Sequence, residues 1–301
     1  MVQRSKILGA AAAVSVVFFW SGWIVVSRLG VVRSLTVYDI AGLRYGVATI
    51  LILPWVIRNR TWQGLTPFRC LILSLTSGVP YALLSYIGLS YAPAAHGGVF
   101  MNGCLPIFTA VTGWFWVRSR NSHSQKIGLV VILIGVVLVG YEGFISPGGD
   151  KIWLGDLLLT VAIAAFSVFM VATKVWEISP GQIIFSATIT GAVVYVPVWL
   201  VGLESNLAEA PLNEILLQGI YQGLVPSILG ISFLSVAIRH LGANVTSVFM
   251  SVVPAVAALV AIPVLGEIPG LPAWLGMITV TGGILLALGI FHPKTPVPAA
   301  S

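Results

Sequence analysis

An all-α integral membrane protein, with ten transmembrane helices built as two inverted five-helix repeats, is the fold class this sequence predicts. Three observations carry the prediction: charge is nearly absent, apolar runs of spanning length follow one another, and prolines and glycines recur in order half a chain apart. Only 8% of the 301 residues are Asp, Glu, Lys or Arg, while 58% are hydrophobic and the mean hydropathy is +1.02. A soluble domain carries about 25% charged residues to hydrate its surface. Residues 70–117 and 241–266 contain none of the four charged types, so lipid is the only solvent that suits them.

A helix rises about 1.5 Å per residue, and about 20 apolar residues cross the hydrocarbon. Cutting the chain at its charges, Pro/Gly clusters and polar turns places helices near 7–27, 37–57, 70–91, 95–117, 127–144, 153–173, 181–203, 213–238, 243–265 and 272–291. Helix 1 runs through Phe18, Phe19, Trp20 and Trp23 to Arg28, longer than the apolar region of a cleavable signal peptide, and is read as retained. Arg28 and Arg33 separate it from helix 2, and Arg58, Arg60 and Arg69 separate helix 2 from helix 3. Helix 4 begins at Ala-Ala-His-Gly-Gly; Arg118, Arg120 and Lys126 divide it from helix 5, and Lys151 precedes helix 6. Lys174 and Glu177 end helix 6, Arg239 closes helix 8, and Gly266-Glu267 closes helix 9. The runs are continuous and lack the alternation of barrel strands. Residues 292–301 are short and Pro-rich and are expected to be a disordered tail. Cys70 and Cys104 cannot make a disulfide framework and read as small apolar fillers.

Lys and Arg favour the cytoplasmic side of short loops. Arg4, Lys6, Arg58, Arg60, Arg69, Arg118, Arg120, Lys126, Lys174, Arg239 and Lys294 fall on one side, and only Arg28, Arg33 and Lys151 on the other. Both termini are therefore expected in the cytoplasm, with the protein in the cell (inner) membrane. The net charge of +6 serves topology and anionic lipid; no exposed basic face exists for nucleic acid.

Proline is costly inside a helix, yet here it recurs in pairs. Pro54, Pro80 and Pro106 correspond to Pro197, Pro226 and Pro254, at offsets of 143, 146 and 148. At the last offset Gly128 meets Gly276 and Gly135 meets Gly283, and near the repeat starts Ser21 and Arg28 correspond to Ser167 and Lys174. This defines repeats at 1–146 and 147–291. Five crossings leave the chain on the opposite side, so the second copy enters upside down, as in many transporters.

Pro80, Pro106, Pro226 and Pro254 lie about eleven residues from a boundary, roughly 16 Å of rise and near the midplane. They are the expected hinges. Each frees the carbonyl four residues earlier, at Thr76, Asn102, Gln222 and Met250, which must find a donor, water or a ligand. Asn102 and Gln222 also carry amides that are costly in lipid. Together with Trp20, Ser77, Tyr81, Ser85, Tyr221, Ser227, Phe249 and Ser251 they are the expected substrate-binding residues of a polar cavity between the repeats. Against that stands helix packing, which claims many Ser and Gly residues; Gly42/Gly46 and Gly219/Gly223 have its small-xxx-small spacing.

Arg44 is the one charge well inside a segment; Asp39 is its nearest partner along the chain, and an anchor near the outer interface is favoured over binding a substrate carboxylate. His96 reads as a helix-start histidine satisfied by water. No Asp or Glu stands at the midplane, so a proton, one candidate coupling ion, would have to use His96 or the substrate itself.

Taken in order, Phe18-Phe19-Trp20-Ser21-Gly22, Arg44-Tyr45, Leu105-Pro106-Ile107-Phe108-Thr109-Ala110, Gly128, Gly135 and Gly140 resemble the drug/metabolite transporter (DMT) superfamily, in its ten-helix EamA-type branch. Val253-Pro254-Ala255-Val256-Ala257-Ala258, Leu265-Gly266-Glu267, Gly276 and Gly283 continue the likeness in the second copy. The family commonly has Gly-Glu after both helix 4 and helix 9; here the first copy reads Arg118-Ser119. The resemblance implies an inner-membrane transporter of small organic solutes, often an exporter of amino acids or related metabolites, with a cavity framed by helices 3, 4, 8 and 9. A secondary transporter or facilitator working by alternating access is thus expected, as a monomer or weak homo-oligomer with no cofactor and no metal. The alternative, a membrane-embedded enzyme acting on lipid-linked substrates, needs a clustered acid, base, nucleophile or metal set, and the sparse His and carboxylates argue against it. No nucleotide-binding loop appears.

Overall fold

The structure, a computed structural model, describes residues 2–145 and 151–289. Helices 1 and 2 are Val2–Val32 and Val37–Asn59. Helix 3 is Pro67–Ser77 followed, across Gly78, by Val79–Tyr91. Helix 4 runs Ala94–Gly98, then a π turn Val99–Gly103, then Cys104–Val117. Helices 5 and 6 are His123–Ile145 and Ile152–Val175. Helix 7 is Pro180–Ile184, a π turn Phe185–Ile189 and Thr190–Gly202, while helix 8 is Leu212–Leu224, a π turn Val225–Leu229 and Gly230–Leu241. Helix 9 is Ala243–Met250 and Val253–Leu265, and helix 10 is Leu271–Ala287. Nine of these runs have the length and apolarity to cross a membrane; helix 10 is apolar but 17 residues long. The expected segments are all present, most of them longer than expected by a few residues. The predicted end of helix 10, at 290–291, and the tail 292–301 lie outside the described residues.

Local chemistry fixes the ends. Thr36 caps helix 2 in a reciprocal capping box with Asp39, and Ser179 does the same with Gln182 for helix 7. Arg60 and Arg118 end helices 2 and 4 in the left-handed conformation, and Gly266 (φ 71°) ends helix 9.

Helices 5 and 10 cross closely and show the internal symmetry directly. A Cβ on Gly128 would stand 2.5 Å from the Ala287 nitrogen and 2.6 Å from the Gly283 oxygen; one on Gly276 would stand 2.4 Å from Val139 and 2.7 Å from the Gly135 oxygen. Gly135 likewise faces Val280, and Gly283 faces Ile132. An offset of 148 turns each contact into its partner: 128 to 276, 132 to 280, 135 to 283 and 139 to 287. Neighbours rise on one helix as they fall on the other, so the pair is antiparallel, as upside-down copies require. Elsewhere helix 1 lies on helices 8 and 9 as helix 6 lies on helices 3 and 4. Helix 2 packs on helices 7 and 8, with Gly223 against Val47 and Ala48 and Gly42 against the Trp199 ring.

The four midplane prolines all sit at departures from regular α-helix, but not of one kind. Helix 3 breaks at Gly78, two residues before Pro80, and helix 9 is interrupted at Ser251–Val252, just before Pro254. In helices 4 and 8 a π turn absorbs the missing hydrogen bond instead, ahead of Pro106 and around Pro226.

Candidate functional site

The ends of the bundle differ in charge. One, the basic face, carries Lys6, Arg58, Arg60, Arg69, Arg118, Arg120, Lys126, Lys174 and Arg239, with Glu177 the one acid among the described residues. The other, the acidic face, holds Asp39, Glu142, Asp156, Glu204, Glu209, Glu214 and Glu267 beside Arg28, Arg33 and Lys151.

The acidic face is tied shut. Arg28, near the end of helix 1, donates from Nε to Glu267 Oε1 at 2.8 Å and from Nη1 to the Leu89 and Ser90 carbonyls at 2.7 and 3.0 Å. Glu267 Oε2 accepts the Ala94 N–H at 2.8 Å. One ion pair thus binds helix 1, the end of helix 3, the start of helix 4 and the turn between helices 9 and 10. Glu142 accepts the Gly270 and Ala273 N–H groups at the start of helix 10, where the helix dipole favours a carboxylate. Asp39 accepts from Trp199 Nε1 at 3.0 Å, Ser205 Oγ at 2.6 Å, and the Asn206 and Thr36 N–H groups. Ser34 hydrogen-bonds Glu214. A cavity of about 200 Å³ lies within this layer, lined by Pro93, His96, Glu142 and Glu267 among others.

Two expectations are corrected here. Asp39 is not the partner of Arg44: five residues on a helix turn a side chain by about 140°, and Asp39 spends its oxygens on the cap and on helix 7 and the turn after it. Nor is His96 satisfied by water. It is 2% exposed, its Nδ1 lies 2.9 Å from Asp156 Oδ1, and its ring stacks near Phe100. Asp156 was missed because its partner comes from another helix, 60 residues away.

One layer deeper lies a buried polar chain. Arg44 Nη1 donates to Tyr86 OH at 3.3 Å, and Tyr86 OH donates to Gln222 Oε1 at 3.1 Å. Gln222 Nε2 donates to Ser27 Oγ and Gln218 Oε1, and Gln218 Nε2 donates to the Val26 carbonyl at 2.6 Å. The Arg44 guanidinium lies 5.5 Å from the Trp23 ring centre and 5.8 Å from that of Tyr45. Gln222 is fully buried, with both ends of its amide paired inside the protein. Gln218, four residues before it, was overlooked; two amides one turn apart in an apolar helix are the signal that could have found it.

The other predicted site residues divide. Asn102 is half-buried in the π turn of helix 4, donating to the Gly98 carbonyl at 3.2 Å. Trp20 and Tyr81 are half-buried, Tyr81 between Trp23 and Phe166 with ring centres at 6.5 and 4.9 Å. Tyr221 reaches helix 1 through the Phe19 carbonyl at 3.1 Å. Ser227 donates to the carbonyl that Pro226 frees, that of Gln222, at 3.4 Å. Ser77 donates to its own helix at Leu73, and Phe249 is half-buried against the core. Ser85 and Ser251 are buried and donate within their own helices, to Tyr81 and Val248.

Towards the basic face the halves part company. The first segment of helix 4 (94–98) packs on the second of helix 9 (253–265). The symmetry-related pair would be 243–250 against 104–117, but 243–250 lies on helices 1 and 8 instead. Ser119 and Lys174, the counterparts of Glu267 and Arg28, are both exposed. A cavity of about 650 Å³ opens here between helices 4 and 5, from Ile107 down to Arg120 and Lys126; none of the predicted substrate-binding residues lines it.

A ten-helix bundle whose closest crossing is exchanged with itself by a shift of half the chain calls for a duplicated family, and the sequence pattern of the EamA-like transporter family matches twice, at residues 7–141 and 153–289. The chain belongs to the EamA-like transporter family, within the DMT superfamily. Among its relatives is the uncharacterized transporter YdfC of Bacillus subtilis (strain 168), 27% identical over 182 residues, 60% of this chain and 58% of that one. The uncharacterized transporter YetK of the same organism is 22% identical over 95% of this chain and 87% of its own length. A crystal structure of a protein 14% identical superposes with a TM-score of 0.64 over 98% of this chain and 99% of that one, a likeness of fold.

Proposed function

We propose that this EamA-family chain is a secondary transporter or facilitator of the inner membrane that exports small organic metabolites, amino acids or related compounds, by alternating access. Residues 1–146 and 147–291 are the two repeats that rock, both termini are cytoplasmic, and the basic face is the cytoplasmic one. What supports the orientation is the excess of Lys and Arg on that face.

The observation that carries the transport reading is the asymmetry between equivalent corners. Two upside-down copies of one bundle can exchange shapes, and exchanging them here would open the Arg28–Glu267 corner and close the Ser119–Lys174 corner. The structure then represents the inward-facing member of the pair. The prolines mark the hinges: one helix of each proline pair is broken at the midplane while its counterpart is π-turned, so either helix can adopt either form. Half-buried Asn102, Trp20, Tyr81, Tyr221 and Phe249 line the path on this reading; Gln222, Ser85 and Ser251 support it from behind. The test is counterflow in proteoliposomes preloaded with single amino acids, sugars or nucleosides. Exchange of one class above protein-free vesicles is expected, amino acids foremost; no exchange of any class would overturn the reading.

A further inference from the structure

The polar chain around Arg44 is closed at one end and open at the other. At the glutamine end the Gln222 and Gln218 amides are paired, through to the Val26 carbonyl. At the arginine end, a guanidinium with five N–H donors makes one hydrogen bond, a long one of 3.3 Å to Tyr86 OH, whose proton is committed to Gln222. No carboxylate lies within ion-pair distance of Arg44 among the described residues, and Asp39 is engaged elsewhere. Beside it, Trp23 is 8% exposed and its indole N–H is buried with no acceptor. A cation with one long hydrogen bond and a donor with none thus share one layer of the bundle. Cation–π contact with Trp23 and Tyr45 offsets only part of the cost of holding an unpaired guanidinium below the membrane surface.

We infer that Arg44 and the Trp23 indole N–H bind the carboxylate of a small organic anion, with its flat apolar body against the Tyr81 and Phe166 rings. The carboxylate is the acceptor that the Trp23 N–H lacks and the counter-charge that Arg44 lacks, and a guanidinium fork matches it bidentately. The rings supply the second requirement. Tyr81 lies nearly parallel to Trp23, at 16°, and 4.9 Å from Phe166, so the three rings form one aromatic cluster beside the donors. In taking the anion to be cargo, this assignment rests on the transport reading; the site itself does not.

Radiolabelled benzoate is a suitable probe, with benzamide as its uncharged isostere and the full chain held in phosphatidylcholine nanodiscs at neutral pH. Saturable benzoate binding is expected, with benzamide competing at least about tenfold more weakly, the scale of a charge-assisted pair. Arg44→Gln should weaken benzoate about tenfold and erase the acid-over-amide preference, Arg44→Lys should keep the preference, and Trp23→Phe should weaken benzoate a few-fold with the preference intact. Equal competition by the two isosteres, absence of saturable binding, or an unchanged preference in Arg44→Gln would each overturn the site; the first two need no variant. A parallel set of nanodiscs containing phosphatidylglycerol separates a soluble anion from a lipid headgroup: equal binding supports the former, and loss of benzoate binding overturns it. Counterflow is read separately. Exchange that survives without anion preference sinks this site and spares transport, while anion binding by protein that moves nothing keeps the site and sinks its role in carrying cargo.

Discussion

At the acidic face, Arg28 and Glu267 join four chain segments through one ion pair and three further hydrogen bonds. At the basic face, the residues that an exchange of halves puts in their places, Lys174 and Ser119, are exposed, and among the described residues Lys174 makes no ion pair. The fold is nearly symmetric and the chemistry at its two mouths is not. If the halves exchange shapes as proposed, the two inverted states have the same packing to a first approximation, and a small difference in polar contacts decides which is populated. Here that difference is one residue type: glutamate after helix 9, serine after helix 4. The departure visible in the sequence as a missing Gly-Glu is the departure that leaves one face without its latch.

The first test falls where the halves are alike. Gly128→Ala and Gly276→Ala occupy equivalent positions in the crossing of helices 5 and 10, and each Cβ would meet neighbouring atoms at 2.4–2.7 Å, including backbone. Overpacking of this kind costs about 1–3 kcal/mol. Both variants should lower the thermal unfolding midpoint in detergent by similar amounts; a loss at one alone would break the symmetry of the crossing. Next comes the latch. Glu267→Gln strands Arg28, whose side chain is only 15% exposed, a cost of about 2–4 kcal/mol that falls only on the closed acidic face. Labelling of buried Cys104 by an impermeant maleimide added from that side, in a Cys70→Ser background, should rise about tenfold or more, while Lys174→Gln should leave it unchanged. Equal responses would mean the corners differ in appearance alone. Ser119→Glu sharpens the comparison from the other direction: a carboxylate within reach of Lys174 should favour closing the basic face and slow counterflow a few-fold, an exposed pair being worth about 0.2–1 kcal/mol.

Much of the architecture was legible because it rests on short-range rules. Spanning lengths follow from rise per residue, ends from charges and caps, and the duplication from prolines and glycines whose spacing survives in both copies. The π turns and breaks at the midplane were implied by Pro80, Pro106, Pro226 and Pro254, but which helix would take which form was not, because a proline disrupts a turn without dictating the repair. Polar partnership was legible least. Asp39 is near Arg44 in sequence and faces away from it, whereas Tyr86 and Gln222 are 42 and 178 residues from Arg44 and complete its chain. His96 and Asp156 illustrate the same gap: helix phase relates neighbours on one helix, and nothing local says which helix comes opposite. A single-chain reading therefore finds the costly polar groups and misassigns their partners. That is how Gln222 was placed as a cavity residue. Its replacement by Leu would strand Ser27, Tyr86 and Gln218, so a loss of folded protein is expected there, whereas Asn102→Leu should abolish counterflow at unchanged membrane levels.

The smallest effect concerns the crossings of helices 1 and 6 with their opposite repeats. Ser21, in helix 1, donates to the Val253 carbonyl at 3.1 Å, and the position equivalent to Val253 in the first copy is Leu105. Its counterpart Ser167 does not meet Leu105; its hydroxyl lies 2.8 Å from that of Thr112, seven residues or about 10 Å further along helix 4. Exchanging the halves would carry Ser167 to Leu105 and Ser21 to Val260, a residue with no hydroxyl to offer. The Ser167–Thr112 bond therefore belongs to the observed state alone, and its loss should bias the protein towards the other. Interhelical hydrogen bonds in membranes average about 0.6 kcal/mol, so Thr112→Val should shift the balance about threefold, read as a modest rise in Cys104 labelling from the acidic face. Unchanged labelling would mean the bond persists in both states, and that the two-turn displacement between the crossings is a fixed property of the two halves.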